Sequence, residues 1–242
     1  LLSHHGADLS LHPSPTPPQR GEGLLTSPLD PDRTLALSYV PAAHRASVEA
    51  LWRLDAALGA VLSGGREPML SRIKLVWWRD ALVALDERPA PAEPTLQAVH
   101  RNVLPRGVSG GELAEIEEGW AVLLAEGALE PEELRTYAEA RGRTLFRLTA
   151  RLLGREATAG EAQAGEAWAL ADLGRHSGAP DAEAAFDAAR TVVLPAKWPG
   201  ALRPLGMLAV LAARDAARRA PPEPQGSPAR MLRMLRHRLT GR

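Results

Sequence analysis

The chain contains no cysteine. That excludes disulfides, thiolate nucleophiles, cysteine-ligated zinc and iron–sulfur clusters together. Aromatic residues make up only 4% of the sequence, and strand formers are scarce. An excess of either charge is missing too: 29 basic residues balance 29 acidic ones, so no global basic field exists to hold nucleic acid. No uninterrupted apolar run approaches the ~18–20 residues that a membrane span needs. The sequence also lacks H-E-x-x-H, P-loop, G-x-G-x-x-G and G-x-S-x-G motifs. What remains is rich in Ala, Leu, Glu and Arg, all strong helix formers, with 45% apolar residues. The 242 residues suffice for one large domain or two small ones, and can bury a core without a staple.

Residues 1–28 read as a disordered tail, with the Pro- and Gly-rich run LHPSPTPPQRGEG from Leu11 to Gly23. His4 and His5 stand where a signal peptide would carry Lys or Arg, and no apolar stretch follows them. From Asp30-Pro31, an N-cap and first-turn pair, the pattern becomes helical. Pro41 opens a long helix with Val48, Leu51, Leu54, Leu58, Val61 and Leu62 on one face, ending at Gly64-Gly65. A second long helix carries Met69, Leu70, Ile73, Val76, Trp77 and Ala81 as its apolar face. Ser109/Glu112 and Thr158/Glu161 are capping boxes that start two further helices. Leu134, Tyr137, Leu145, Leu148 and Leu152 line a helix that stops at Gly154. Val192-Val193-Leu194-Pro195 is the one short β-like run. After Pro221-Pro222 and Pro224 comes a basic terminal helix with Met231, Met234, Leu235 and Leu239 on its apolar side. Roughly eight to ten helices and no internal repeat predict a single all-α domain. Its expected limits are 29–220, followed by a linker and basic helix at 221–242.

Carboxylate pairs at i,i+4 could hold a metal, but Glu126/Glu130 and Glu183/Asp187 read as solvated helix faces. Asp172 and His176 share the same spacing, and two ligands alone make a weak site. The most distinctive segment is Glu67-Pro68-Met69-Leu70 through Lys74-Leu75-Val76-Trp77-Trp78-Arg79-Asp80-Ala81-Leu82. Two adjacent Trp in a helix point about 100° apart, so one can enter the core while its neighbour packs elsewhere. The spacing predicts Trp77 or Trp78 buried against the helix 41–63.

That segment resembles the helix "EPML-x-x-I-R-L-x-W-W-R-D-A-L" of the squalene/phytoene synthase family. The resemblance runs from about Asp30 to Asp215. It includes Tyr137 to Leu153, Ala167 to Arg175 and the Val192-Val193-Leu194-Pro195 stretch, in the family's order. It implies a single isoprenoid-synthase-like helical bundle. Active members join prenyl diphosphates, using Mg²⁺ held by Asp-rich motifs on two facing helices. Here the first motif should fall at residues 59–63, which are Gly59, Ala60, Val61, Leu62 and Ser63. Asp55 is the only carboxylate from Leu51 to Gly65, and at the second motif Asp172 is followed by His176 and Pro180.

The expectation is therefore a family member with eroded motifs, a non-catalytic lipid-binding or assembly-factor-like protein. It is similar to the branch containing the mitochondrial complex I assembly factor. The alternative is an active transferase that joins isoprenoid diphosphates. No catalytic or metal-ligating residue is assigned. Asp55, Asp172, His176, Arg53 and Arg79 are the candidate substrate-binding residues. No cofactor is expected, with Mg²⁺ required only by the transferase alternative. Expected partners are an isoprenoid or lipid ligand and a membrane surface or protein, but no nucleic acid. The expected location is cytoplasmic or peripheral to the membrane, and the basic C-terminal helix is expected either to cover the bundle or to lie on an anionic membrane surface, with covering the bundle favoured.

Overall fold

The structure is a computed structural model that describes residues 29–63, 67–218 and 221–242. The proposed tail at 1–28, the Gly64-Gly65 stop and Arg66 lie outside the described residues. Those described form eleven α-helices and contain no strand. In order they are α1 (Pro31–Ser38), α2 (Ala42–Ser63), α3 (Pro68–Ala84), α4 (Pro94–Asn102), α5 (Gly110–Val122), α6 (Pro131–Tyr137), α7 (Thr144–Leu152), α8 (Ala159–His176), α9 (Asp181–Thr191), α10 (Arg203–Ala217) and α11 (Pro228–Thr240).

Local chemistry starts these helices where the sequence indicates. The Asp30 carboxylate accepts the backbone N–H of Arg33, with Pro31 at the first helical position. Both capping boxes form, Ser109 with Glu112 on α5 and Thr158 with Glu161 on α8. Glu112 also accepts from Arg147 and Arg151. Partial burial works against its charge, but the Ser109 N–H and the two guanidiniums outweigh it and pull the carboxyl down to about 2. The run Val192–Leu194 is not a strand. It leaves α9 as an extended loop with Val193 exposed.

Leu51, Leu54 and Leu58 of α2 are fully buried, each worth about 1.5–3 kcal/mol in apolar surface removed from water. Trp52 is buried beside them and donates its indole N–H to Thr149 Oγ1 of α7 at 3.0 Å. On α3 the apolar face read from the sequence turns outward. Ser71, Leu75, Trp78 and Leu82 face the bundle, while Met69, Leu70, Ile73, Val76 and Trp77 are exposed. The packed face is narrow because α3 lies at the edge of the bundle, mainly against α5 with α2 behind. Trp78 enters the core and Trp77 meets it edge-on from outside, with ring centroids 5.5 Å apart.

Between α6 and α7 the chain makes a wide π-helical turn over Ala138–Arg143 instead of one continuous α-helix. This turn packs backbone to backbone on α8. A Cβ on Gly142 would come within 2.3 Å of the Gly165 carbonyl oxygen, and one on Gly165 within 2.1 Å of that of Gly142. Only glycine at both positions permits the approach. The consequence is that Arg141, next to Gly142, is driven into the centre of the bundle.

At the far end α11 packs on α10 and α1. Arg230 is buried between Asp32 of α1 and Asp215 of α10, at 2.9 Å and 2.6 Å. Met234 and His237 are buried with it, but Met231 and Leu239 of the expected apolar side are exposed.

Candidate functional site

Asp55 and Arg141 form the centre of the site. Asp55 lies on α2 one turn before Gly59 and is completely buried. Arg141 Nε donates to Asp55 Oδ1 at 2.7 Å and Arg141 Nη2 to Oδ2 at 3.0 Å, a bidentate pair. Arg33 Nη1 of α1 donates to Oδ2 at 2.8 Å, and the Trp120 indole N–H of α5 to Oδ1 at 3.0 Å. Every acceptor direction of the carboxylate is thus turned toward a donor. Burial alone would push its pKa up. The Arg141 and Arg33 guanidiniums, with the Trp120 N–H, reverse that and hold the carboxyl below the ordinary aspartate value.

The third nitrogen of Arg141 reaches the facing helix. Nη1 lies 2.8 Å from Asp172 Oδ2 of α8 and also donates to the Tyr137 hydroxyl. The guanidinium stands 4.1 Å from the Trp120 ring centroid and 4.7 Å from that of Trp168. These contacts favour the charged form by cation–π attraction in a buried setting. Burial works against that charge, but Asp55, Tyr137 and Asp172 raise the Arg141 pKa further. Burial likewise pushes the Tyr137 hydroxyl up, so it stays neutral. One cation therefore cross-links the two acidic positions of α2 and α8.

This network floors a cleft of about 750 Å³. Its apolar wall includes Leu29, Ala56, Ala60, Leu62, Leu123 and Leu173, and Trp120 closes one side. Gly59 and Ser63, the expected first-motif positions, line it as well. Gly59 is packed against Trp120 so closely that a Cβ there would stand 2.8 Å from the indole. Arg33, Arg141, Asp30, Asp172 and His176 supply the polar part. Two guanidiniums face three carboxylates (Asp30, Asp55 and Asp172), leaving one negative charge in excess.

Of the residues nominated from sequence, Asp172 and His176 line the cleft on α8, and Asp55 lies behind its floor. His176 Nδ1 sits 2.8 Å from the Asp172 carbonyl oxygen, and the ring is largely exposed. Arg53 and Arg79 are not brought there. Arg53 points along α2 to Glu49 at 2.8 Å, and Arg79 lies on the outside of α3 beside Asp80. Arg53 lies on the same side of α2 as Ala56 and Ala60 but is engaged by Glu49 one turn earlier, and α3, which carries Arg79, contributes no lining residue to the cleft. Asp181, the first residue of α9, is not among the lining residues and accepts the Leu129 backbone N–H at 2.9 Å. Sequence reasoning missed Arg141 and Arg33. The signal for Arg141 was a charge inside the apolar series Tyr137, Leu145, Leu148 and Leu152, four residues from Tyr137 and four from Leu145.

The residues present do not fit a Mg²⁺ cluster. Mg²⁺ requires near-octahedral oxygen ligation at about 2.1 Å. Asp55 has both oxygens engaged and no surface, and Asp172 is taken by Arg141. Among the described residues no three His, Asp or Glu side chains are grouped to hold a metal ion.

Comparison with known proteins is consistent with the helical architecture. No curated protein and no solved structure matches the chain. The sequence profile of squalene/phytoene synthase matches residues 28–220, which spans α1 to α10, and the chain belongs to the squalene/phytoene synthase family.

Proposed function

We propose that this chain is a non-catalytic member of its family, a lipid-binding or assembly-factor-like protein that has given up metal-dependent prenyl transfer. The observation that carries this reading is the Arg141 bridge between Asp55 and Asp172. Ionising an allylic diphosphate needs several metal ions to neutralise the leaving group, and those ions need free carboxylates on facing helices. Here the carboxylates are neutralised from within. The residual negative charge of the floor also disfavours a diphosphate, while the apolar wall suits a prenyl or acyl chain. A cleft of about 750 Å³ falls within the ordinary range for a small-molecule site. Its occupant on this reading is an uncharged isoprenoid or similar lipid with a hydrogen-bonding head.

Trp120 lines the cleft, so its fluorescence reports occupancy. Farnesol titrated into the purified protein should change that fluorescence equally with and without Mg²⁺. Farnesyl diphosphate should bind more weakly and gain nothing from the metal. Tight, Mg²⁺-dependent binding of the diphosphate would overturn the reading.

A further inference from the structure

The exposed face of α3 is the least accounted-for surface of the bundle. Met69 is 67% exposed, Ile73 58% and Trp77 47%, with Leu70 and Val76 completing the stripe. These side chains follow steps of three and four, so they lie together along about 12 Å of helix. Isolated exposed leucines are ordinary, whereas a contiguous stripe with a Trp in it marks an interaction surface.

Charge identifies the occupant. Arg72 and Lys74 are exposed, one on each flank of the stripe, at about 90–110° from its centre. Arg79 follows on the Arg72 side. The one acid in line with the stripe, Asp80, comes after Trp77 and lies beside the Arg79 guanidinium at 3.4 Å. An apolar ridge with a Trp and basic flanks is the pattern of a helix lying in the headgroup boundary of an anionic membrane. The cleft adds a second argument. Ser71 at the start of α3 donates to the Val61 carbonyl oxygen at 3.3 Å, and the next residues of α2, Leu62 and Ser63, line the cleft. The start of α3 therefore lies beside the end of α2 that lines the cleft.

We propose that the outer face of α3 docks on an anionic lipid surface and brings the cleft to it. The docking face does not depend on what the cleft binds, so it is tested separately. The full chain is sedimented with phosphatidylcholine vesicles, with and without phosphatidylglycerol, at low and high salt. The wild type should bind only the anionic vesicles and lose binding at high salt. Arg72→Glu/Lys74→Glu should weaken binding by about thirty-fold or more, given the usual worth of a basic residue near such a surface. Ile73→Asp/Trp77→Asp should weaken it comparably, with an unchanged thermal midpoint because both side chains are exposed. The second control is Leu232→Asp/Leu239→Asp on the exposed side of α11, which should leave binding intact. The proposal is overturned if the wild type ignores anionic vesicles, or if only the α11 variant loses binding. It is equally overturned if sedimentation velocity shows a dimer that Ile73→Asp/Trp77→Asp dissolves, which would make the stripe a contact between copies of this chain.

Discussion

Arg141 and Arg230 are both buried guanidiniums, and each is held between two aspartates from different helices. Arg230 joins Asp32 and Asp215, with Arg175 adding a second donor to Asp215 at 3.0 Å. The space beside that hub is about 20 Å³, room for a single water. It closes on itself and fastens α11 to α1 and α10. Arg141 joins Asp55 and Asp172 in the same manner, but opens on about 750 Å³. A buried ion pair is not by itself a source of stability, because the cost of dehydrating both charges offsets much of their attraction. The Arg230 hub is explained by what it fastens. The Arg141 hub sits at the floor of a cleft and engages Asp55 and Asp172, the carboxylates that remain on α2 and α8 near the expected motif positions.

The sharpest way to break this comparison is to remove the anion of the larger hub. Asp55→Ala removes the buried anion shared by Arg33 and Arg141 and leaves each with a single carboxylate, Asp30 and Asp172 respectively. It should cost about 3–5 kcal/mol, read as a fall in the denaturation midpoint. Arg230→Met should cost less, about 3 kcal/mol, since Asp215 keeps Arg175 and the apolar stem replaces the guanidinium. A smaller loss for Asp55→Ala than for Arg230→Met would mean that the cleft hub is not the tighter network.

Gly59→Asp tests the eroded motif directly. The new side chain must displace Trp120, which should cost about 1–3 kcal/mol through overpacking. It should give no stabilisation by Mg²⁺ in a thermal shift, because the neighbouring Asp55 stays bound to arginine.

Acid should expose the depressed Asp55 pKa. As pH falls below 3.8, the ordinary aspartate value, the unfolded chain takes up the proton first while the folded carboxylate resists it. The stability due to this group is complete above that pH and is lost as pH drops toward the folded value. Thermal midpoints measured down to about pH 3 should therefore fall more steeply for the wild type than for Asp55→Asn. The smallest effect belongs to His176→Ala. Its ring is 64% exposed, and stability should move by no more than about 0.5 kcal/mol.

The all-α architecture was legible because helix formers, proline starts and capping boxes act locally and agree with one another. The α2 face was legible for the same reason, with Leu51, Leu54 and Leu58 at regular spacing and all buried. The face of α3 was not. Its strongest apolar side points to solvent, and periodicity alone assumes that the most apolar side is the packed one. Asp55 and Asp172 were visible as residual carboxylates, but their neutralisation was not. Arg141 reaches them only because the Gly142–Gly165 contact and the π-helical turn bring a distant segment inward. That is tertiary geometry, and a single sequence carries it only as an arginine in an apolar series.

Diphosphate release tests the central claim most directly. The purified chain is incubated with Mg²⁺ and farnesyl or geranylgeranyl diphosphate, and inorganic diphosphate is followed over time. With Asp55 and Asp172 held by Arg141, no release above the protein-free control is expected. Metal-dependent release that disappears in Asp172→Asn would contradict the account and make the chain an active prenyl transferase.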